Sequence, residues 1–289
     1  MEIGIVGAGR VGCSIGRYLR EHGAAVAGYY SKSRESVEFA ATFTETKAFP
    51  SLRELAGASD MIFIATPDDA IRSVWEGIAE ESIQGKIVCH FSGSLSSVVF
   101  SGRRQAGASG CSAHPMYAFS SKDTSYKQLN QVLFTMEGDR EAVESVGSVW
   151  EQAGLHFCVI DSGKKERYHA AASLISNMMI GLYQMGIDML RDCGFEEKQA
   201  RILVEPLVRD NIRQLLATSP EQALTGPIER GDAATVRKHL AALTDAERDV
   251  YINLAQKLIG IAGKKNPERD YRAVAEIIKK ARTACEGSA

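Results

Sequence analysis

Short apolar runs alternate with amphipathic helical patterns over the first half of the chain. The predicted strands are residues 2–6, 24–30, 61–65, 86–90, 111–115, 131–136 and 156–160. The predicted helices between them are 11–22, 34–42, 51–56, 68–81 and 140–153. Continuous apolar runs such as 61–65 are typical of strands buried on both faces. The alternation of strand and helix therefore predicts a mainly parallel α/β sheet.

The pattern changes near residue 160, beyond which no convincing strand follows. The predicted helices are residues 164–193, 196–217, 233–243, 245–262 and 271–284. We therefore predict two domains, an α/β domain at residues 1–162 and an all-helical domain at residues 163–289.

A glycine motif, GAGRVG at residues 7–12, links the first predicted strand to the first predicted helix. In such a motif Gly7 permits the tight turn, Gly9 lets a pyrophosphate approach the backbone, and Gly12 lets the helix pack on the strand. The amides of Arg10 and Val11, at the start of the helix, can bind an anion. The context predicts a Rossmann-type dinucleotide site, and the alternative is a glycine-rich turn in another α/β protein.

The residues at the end of the second predicted strand indicate whether the cofactor is NAD or NADP. An NAD site usually carries an acidic residue there, but this chain has Ser31, Lys32, Ser33 and Arg34. Hydroxyl groups and cations suit a 2′-phosphate, which an arginine can bind with two hydrogen bonds. The predicted cofactor is therefore NADP. The alternative is a polar loop in which Ser33 caps the next helix.

Loops at the carboxyl ends of parallel strands line the ligand crevice of such a sheet. Thr66 and Pro67 are predicted to border the cofactor, and Ser92 and Gly93 to face its nicotinamide end. His114 ends another predicted strand, where it either binds the substrate and donates a proton or only closes its loop. Two other residues nearby receive structural predictions: Asp68 caps a helix, and His90 is interior.

One face of the predicted helix 164–193 is polar. Lys165, His169, Ser173 and Asn177 follow one another at intervals of four residues, which places them along one side of an α-helix. A lysine there can donate a proton to a developing alkoxide. The alternatives are a surface lysine and a structural histidine.

Two glycines and a proline shape the loop at residues 224–232. Arg230 lies in this loop shortly before a predicted helix, so it is a candidate receptor for a substrate carboxylate. Asp232 is a candidate N-cap of that helix.

Composition narrows the class of partner. The net charge is −2, which gives no reason to expect nucleic acid or an anionic membrane. The six cysteines form no C-x-x-C pair, and the histidines form no metal-ligand cluster.

The apolar run at residues 170–190 contains polar residues and is predicted to be a buried helix, not a membrane span. Because the chain starts directly with a strand, we expect no signal peptide and a cytoplasmic protein.

Several segments resemble one bacterial family. They are GAGRVG, HFSGSLSS, SAHPMYAF, KERYHAAASLISN and LTGPIERGDAATVRKHL, spread over residues 7–240. The family has an N-terminal Rossmann-like NADP-binding domain and a C-terminal helical domain long labelled of unknown function. It is similar to the broad group with helical domains like that of 6-phosphogluconate dehydrogenase, which includes pyrroline-5-carboxylate reductases and ketopantoate reductases.

The resemblance implies an NADPH-dependent oxidoreductase acting on a small 2-oxo acid. The leading expectation is reduction of ketopantoate to pantoate for pantothenate synthesis, as in an alternative type of ketopantoate reductase. Lys165 matches the proton-donating lysine of the better-known ketopantoate reductases, whereas His169 and Ser173 stand where those enzymes have asparagines and Asn177 comes a turn later. The alternatives are an imine reductase of the pyrroline-5-carboxylate type, a 3-hydroxyacid dehydrogenase and a non-catalytic NADP(H) sensor. Relatives often pair through their helical domains, which suggests a homodimer, although the sequence equally fits a monomer.

Overall fold

The computed structural model describes residues 1–81 and 83–286. The chain folds into two compact units, Met1–Ser176 and Asn177–Ala289. The first unit thus includes a helix that the sequence assigns to the second domain. The predicted domain boundary after residue 162 stays a prediction.

A single eight-stranded sheet organises the first unit, with the strand order β3-β2-β1-β4-β5-β6-β7-β8. The strands are β1 (Ile3–Val6), β2 (Val26–Tyr30), β3 (Lys47–Ala48), β4 (Met61–Ile64), β5 (Ile87–His90), β6 (Ser109–Pro115), β7 (Leu133–Gly138) and β8 (His156–Val159). The helices are α1 (Arg10–Glu21), α2 (Arg34–Thr44), α3 (Leu52–Gly57), α4 (Asp68–Ala79), α5 (Arg140–Gln152) and α6 (Lys165–Ile175). The predicted α/β architecture is confirmed.

The central strands are apolar on both sides because helices cover both faces of the sheet. In β4, Met61 and Phe63 enter the core on one face, which also contains Trp150. Ile62 and Ile64 enter the core on the other face. This two-sided burial explains why the strand reads as a continuous apolar run.

The sheet is mainly parallel, as predicted, with one exception. β6 pairs with β7 in the antiparallel direction, and Ala113 lies opposite Met136. All other neighbouring pairs in the sheet are parallel. β3 is not among the predicted strands, because its two residues are too few to form a pattern.

The prediction of one continuous helix at residues 164–193 is wrong, because the helix is interrupted at Ser176. α6 ends at Ile175, and a new helix, α7, spans Asn177–Asp192. The Ser176 hydroxyl donates a hydrogen bond to the Ala172 carbonyl, 2.7 Å away. A serine bonded to the preceding turn often bends a helix, and the Ser176 ψ of −78° departs from the ordinary helical value. Asn177 is therefore the first residue of α7 and not part of α6.

The described part of the second unit is helical. Its helices are α7 (Asn177–Asp192), α8 (Glu197–Ala217), α9 (Pro220–Ala223), α10 (Pro227–Arg230), α11 (Ala233–Ala242), α12 (Asp245–Lys265) and α13 (Arg272–Glu286). Val236, Ile252 and Val274 are among the residues that form its core. No helix among residues 1–81 and 83–286 has the length and apolar character needed to cross a membrane.

Candidate active site

The glycine motif forms a tight loop between β1 and α1. Gly7 has a φ of +105°, and a Cβ there would lie 2.7 Å from the Ala65 carbonyl oxygen. A Cβ on Gly12 would collide with the Gly7 carbonyl oxygen. Only glycine fits either position, so both residues have the roles that the motif predicts.

Gly9 differs from the other two glycines because nothing lies within 4 Å of the position that its Cβ would take. It is the N-cap of α1, and no side chain caps this helix. Nearby, at the end of β4, the buried Thr66 hydroxyl has no hydrogen-bond partner in the described part of the chain. Open space, uncapped helical amides and a buried unpaired hydroxyl together fit a bound phosphate-containing ligand.

A cavity of about 460 Å³ lies at the carboxyl end of β2. Its lining includes Ser31, Lys32 and Arg34. The Arg34 guanidinium pairs with Glu38 at 2.8 Å, and its side chain is 91% exposed. Ser33 caps α2 by accepting a hydrogen bond from the Ser36 amide. The structural role considered for Ser33 is therefore confirmed, while two cations still line the cavity.

The loop after β5 is held to the start of α4. The hydroxyls of Ser92 and Ser94 both donate to Asp68 Oδ2, at 2.8 and 2.7 Å. Pro67, not Asp68, is the N-cap of α4. The prediction that Asp68 caps this helix is therefore wrong. Its carboxylate instead positions the loop that carries Ser92 and Gly93.

Three aromatic side chains meet beside Gly93. His114, near the end of β6, has its Nδ1 2.9 Å from the Tyr168 hydroxyl of α6. His169 packs edge-to-face on His114, with ring centres 6.1 Å apart. A Cβ on Gly93 would lie 2.5 Å from His169 Cδ2 and 2.7 Å from His114 Nε2. The structure thus brings together three predicted residues, Gly93, His114 and His169, and adds Tyr168.

Lys165 is buried beneath this cluster, with only 1% of its side chain exposed. Its Nζ donates to the Ser112 hydroxyl and lies 3.5 Å from Glu137 Oε1. Burial lowers the pKa of Lys165, and the nearby Glu137 carboxylate opposes that shift. Lys165 is therefore part of an internal ion pair between α6, β6 and β7.

Glu137 extends this network to the loop after β5. Its two carboxylate oxygens accept hydrogen bonds from the Ser97 amide and the Ser97 hydroxyl, each at 2.8 Å. Sequence reasoning missed Glu137, Ser112 and Tyr168. Glu137 directly follows the predicted strand at residues 131–136. A charged residue at the end of a buried strand was the available signal, since a buried charge needs a partner.

Two histidines in this region, the buried His90 and the half-buried His114, are held neutral. Burial and the nearby Lys165 ammonium lower the pKa of His114 to about 4. The same causes lower the pKa of His90 to about 3. His90 is fully buried, as predicted, and its Nδ1 accepts a hydrogen bond from the Ser92 amide.

These shifts predict that the protein loses stability as the pH falls from 6.5 toward 4. In that range these histidines bind protons in the unfolded chain but not in the folded protein, so acid favours unfolding. Each such histidine adds a slope of at most about 1.4 kcal/mol per pH unit. Urea denaturation across this range should show a smaller slope for His90→Asn than for the wild type. His156→Asn, at an exposed position, is the control, and equal slopes for the wild type and His90→Asn would contradict the assignment.

The remaining predicted residues lie elsewhere. Ser173 is half-buried on α6, two turns beyond Lys165. Asn177 begins α7 and Arg230 ends α10, so both belong to the second unit. Asp232 caps α11 through the Thr235 amide, which confirms its structural role. The contributions of Ser173, Asn177 and Arg230 to the site stay predictions.

Comparison with known protein families identifies the kinds of domain in the chain. Residues 1–115 match the Rossmann-like domain family. Residues 132–258 match the family described as a domain of unknown function, DUF2520. The chain thus combines a Rossmann-like domain with a DUF2520 domain, which confirms the family resemblance seen in the sequence. None of the curated proteins compared with the chain matches it significantly.

Solved structures share this fold over nearly their whole length. Protein TM1727 from Thermotoga maritima is 25% identical, with 99% of each chain covered and a TM-score of 0.65. BF3122 from Bacteroides fragilis, which carries the provisional name NADP oxidoreductase, is 22% identical, with 90% of this chain and 98% of that chain covered and a TM-score of 0.67. An imine reductase from Myxococcus stipitatus, solved with NADP+, is 17% identical, with 97% of this chain and 99% of that chain covered and a TM-score of 0.61.

Proposed function

We propose that this protein is an NADP(H)-dependent oxidoreductase that reduces a C=O or C=N bond of a small molecule. The observation that carries the proposal is the loop at Gly7, Gly9 and Gly12, with its open space and uncapped helix start, next to a cavity lined by Lys32 and Arg34. The NADP-related names of two structural neighbours support the choice of cofactor.

Each part of the cofactor has residues suited to it. The amides of Arg10, Val11 and Gly12 would hold the pyrophosphate at the start of α1. Ser31, Lys32 and Arg34 would hold the 2′-phosphate. Thr66 and Pro67 border the same crevice at the end of β4. When bound, the reduced nicotinamide supplies a hydride.

The substrate would lie over the loop after β5. Ser92, Gly93, His114 and His169 come together there, at the carboxyl ends of β5 and β6. Reduction of a carbonyl or an imine needs a positioned substrate and a proton source beside it. His114 and Tyr168 provide polar hydrogens at this place, and the ties of Ser92 and Ser94 to Asp68 fix the loop.

For the substrate, we propose a small 2-oxo acid, with ketopantoate as the first candidate because of the family resemblance. Arg230, in the second unit, stays the candidate receptor for a carboxylate. The second candidate is an imine, which the shared fold with the Myxococcus imine reductase favours. NADPH oxidation with ketopantoate and with cyclic imines decides between the two.

Replacing Gly9 with alanine separates cofactor binding from folding. The open space at Gly9 leaves room for a methyl group, so we expect stability to change by about 0.5 kcal/mol at most. The same methyl group would occupy the space that the pyrophosphate needs, so NADPH affinity should fall about tenfold or more. Fluorescence titration with NADPH measures the affinity, and urea denaturation measures the stability. Unchanged NADPH affinity in a folded Gly9→Ala protein would argue against the site.

We also propose that the protein is a homodimer. In the described second unit, large apolar side chains are exposed along α7 and α8, among them Ile180 at 69% and Leu216 at 82%. Apolar surfaces of this kind commonly mark protein interfaces. A second copy of the same chain is the occupant that the family resemblance suggests.

A further inference from the structure

Tyr168 and His114 form a hydrogen-bonded pair that leads from α6 to the loop after β5. The Tyr168 hydroxyl lies 2.9 Å from His114 Nδ1, and the two rings are nearly perpendicular, at 85°. One ring nitrogen of His114 is therefore engaged on the α6 side. The other nitrogen, Nε2, points to the backbone of Gly93.

The lack of a side chain at Gly93 lets the Nε2 edge of His114 lie against the loop after β5. Any Cβ at this position would come within 2.7 Å of Nε2. His169 turns a ring carbon, Cδ2, toward the same point and so forms an apolar wall instead of a donor. Of the two imidazoles at Gly93, His114 is the one that turns a ring nitrogen toward the loop over which the substrate is proposed to lie.

Lys165, the donor that the family resemblance implies, uses its hydrogens elsewhere. Its ammonium group is bonded to Ser112 and faces Glu137 in the interior. Releasing a proton from this position would leave the buried Glu137 carboxylate without its countercharge, which is costly.

We propose that Tyr168 is the proton source of this site and that the His114 ring relays the proton to the substrate. The inference rests on the proposed reductase function. In this arrangement the Tyr168 hydroxyl donates to Nδ1, so the single ring proton of neutral His114 is on Nε2. Burial raises the pKa of Tyr168 and lowers that of His114, which is consistent with a neutral pair.

The relay balances protons and electrons. When the carbonyl carbon gains the hydride, the π electron pair moves to the carbonyl oxygen, which takes the proton from His114 Nε2. The Nδ1 lone pair of the ring takes the Tyr168 hydroxyl proton at the same time, and the imidazole is neutral again with its proton on Nδ1. Tyr168 is left as a phenolate. Before the next turnover the phenolate takes the proton back from Nδ1 while Nε2 gains a proton from water, which restores the neutral pair.

The test compares substrates that differ in their need for a proton. Tyr168→Phe keeps the ring and removes the hydroxyl, so kcat for a carbonyl substrate should fall roughly 100-fold. An N-methylated cyclic iminium cation accepts a hydride without any proton, so its turnover should stay within about twofold. Tyr126→Phe, at a half-buried tyrosine that packs on Phe43 in the same unit, is the control and should change neither rate.

A second readout does not depend on turnover. Nitrogen NMR of the wild-type protein should show His114 with a protonated Nε2 and a bare Nδ1, assigned among the six histidines by comparison with His114→Asn. Tyr168→Phe should shift the Nδ1 resonance.

The outcomes separate the two proposals. Full carbonyl turnover by Tyr168→Phe, or a wild-type proton on Nδ1, overturns the relay alone. If the wild type does not oxidise NADPH with any of the carbonyl or iminium substrates, the reductase function and the relay fail together.

Discussion

Replacing Lys165 with methionine is expected to lower the free energy of unfolding by about 3–5 kcal/mol. Lys165 and Glu137 are each only 1% exposed at their side chains, and they lie 3.5 Å apart. Removing the lysine would leave a buried carboxylate without a countercharge, which costs more than the pair itself contributes. Urea denaturation of the purified variant measures this loss.

Two further variants make that test specific. Lys164→Met changes the exposed neighbouring lysine in the same way and should alter stability by about 0.5 kcal/mol or less. Lys165→Met combined with Glu137→Gln removes both charges and keeps an acceptor for Ser97, so it should recover much of the lost stability.

The stability result also tests the role of Lys165. If Lys165→Met is as stable as the wild type but no longer reduces carbonyl substrates, the lysine is the proton donor that the family resemblance implies. Large destabilisation with recovery in the double variant instead identifies Lys165 as a positioning residue that links α6, β6 and, through Glu137, the loop after β5.

Removing both cations at the end of β2 is expected to weaken NADPH binding about 100-fold. Hydrogen bonds to charged groups contribute about 1.5–3 kcal/mol each, and every 1.4 kcal/mol corresponds to about a factor of ten in affinity. The double variant Lys32→Ala with Arg34→Ala should therefore lose affinity for NADPH, while affinity for NADH, which has no 2′-phosphate, stays nearly constant. Fluorescence titration with each nucleotide measures both constants.

Arg140 offers a matched control for Arg34. Each arginine is the first residue of its helix, is 91% exposed and pairs with the glutamate four residues later. Arg140→Ala should leave both affinities unchanged, because Arg140 does not line the cavity at β2. Equal weakening of NADPH and NADH by the Lys32 and Arg34 variant would contradict a 2′-phosphate site.

The sequence allows good prediction of the fold where the pattern is strong. β4 is recognisable because both faces of the sheet are covered and its residues 61–64 are all apolar. The glycine motif is informative because Gly7 and Gly12 have no room for a Cβ. Ser176 shows the limit, since the hydrophobic period continues across it while α6 ends at Ile175 and α7 begins at Asn177.

The candidate site was predictable only in part. Ser92, Gly93 and His114 follow from the rule that strand ends line the crevice. Glu137 and Ser112 could not be placed, because their contact with Lys165 depends on the register of β6 against β7 and on the path of α6. Tyr168 lies directly before His169 in a helix, but only the three-dimensional structure shows its hydroxyl at His114.

The most direct test of the account is an NADPH-oxidation assay with ketopantoate, other 2-oxo acids and cyclic imines as substrates and with NADH as the alternative cofactor. We expect NADPH to be oxidised in the presence of at least one of these substrates, and faster than NADH. Binding of NADPH without any turnover would favour a nucleotide sensor, and a preference for NADH would contradict the assignment of the cations at β2.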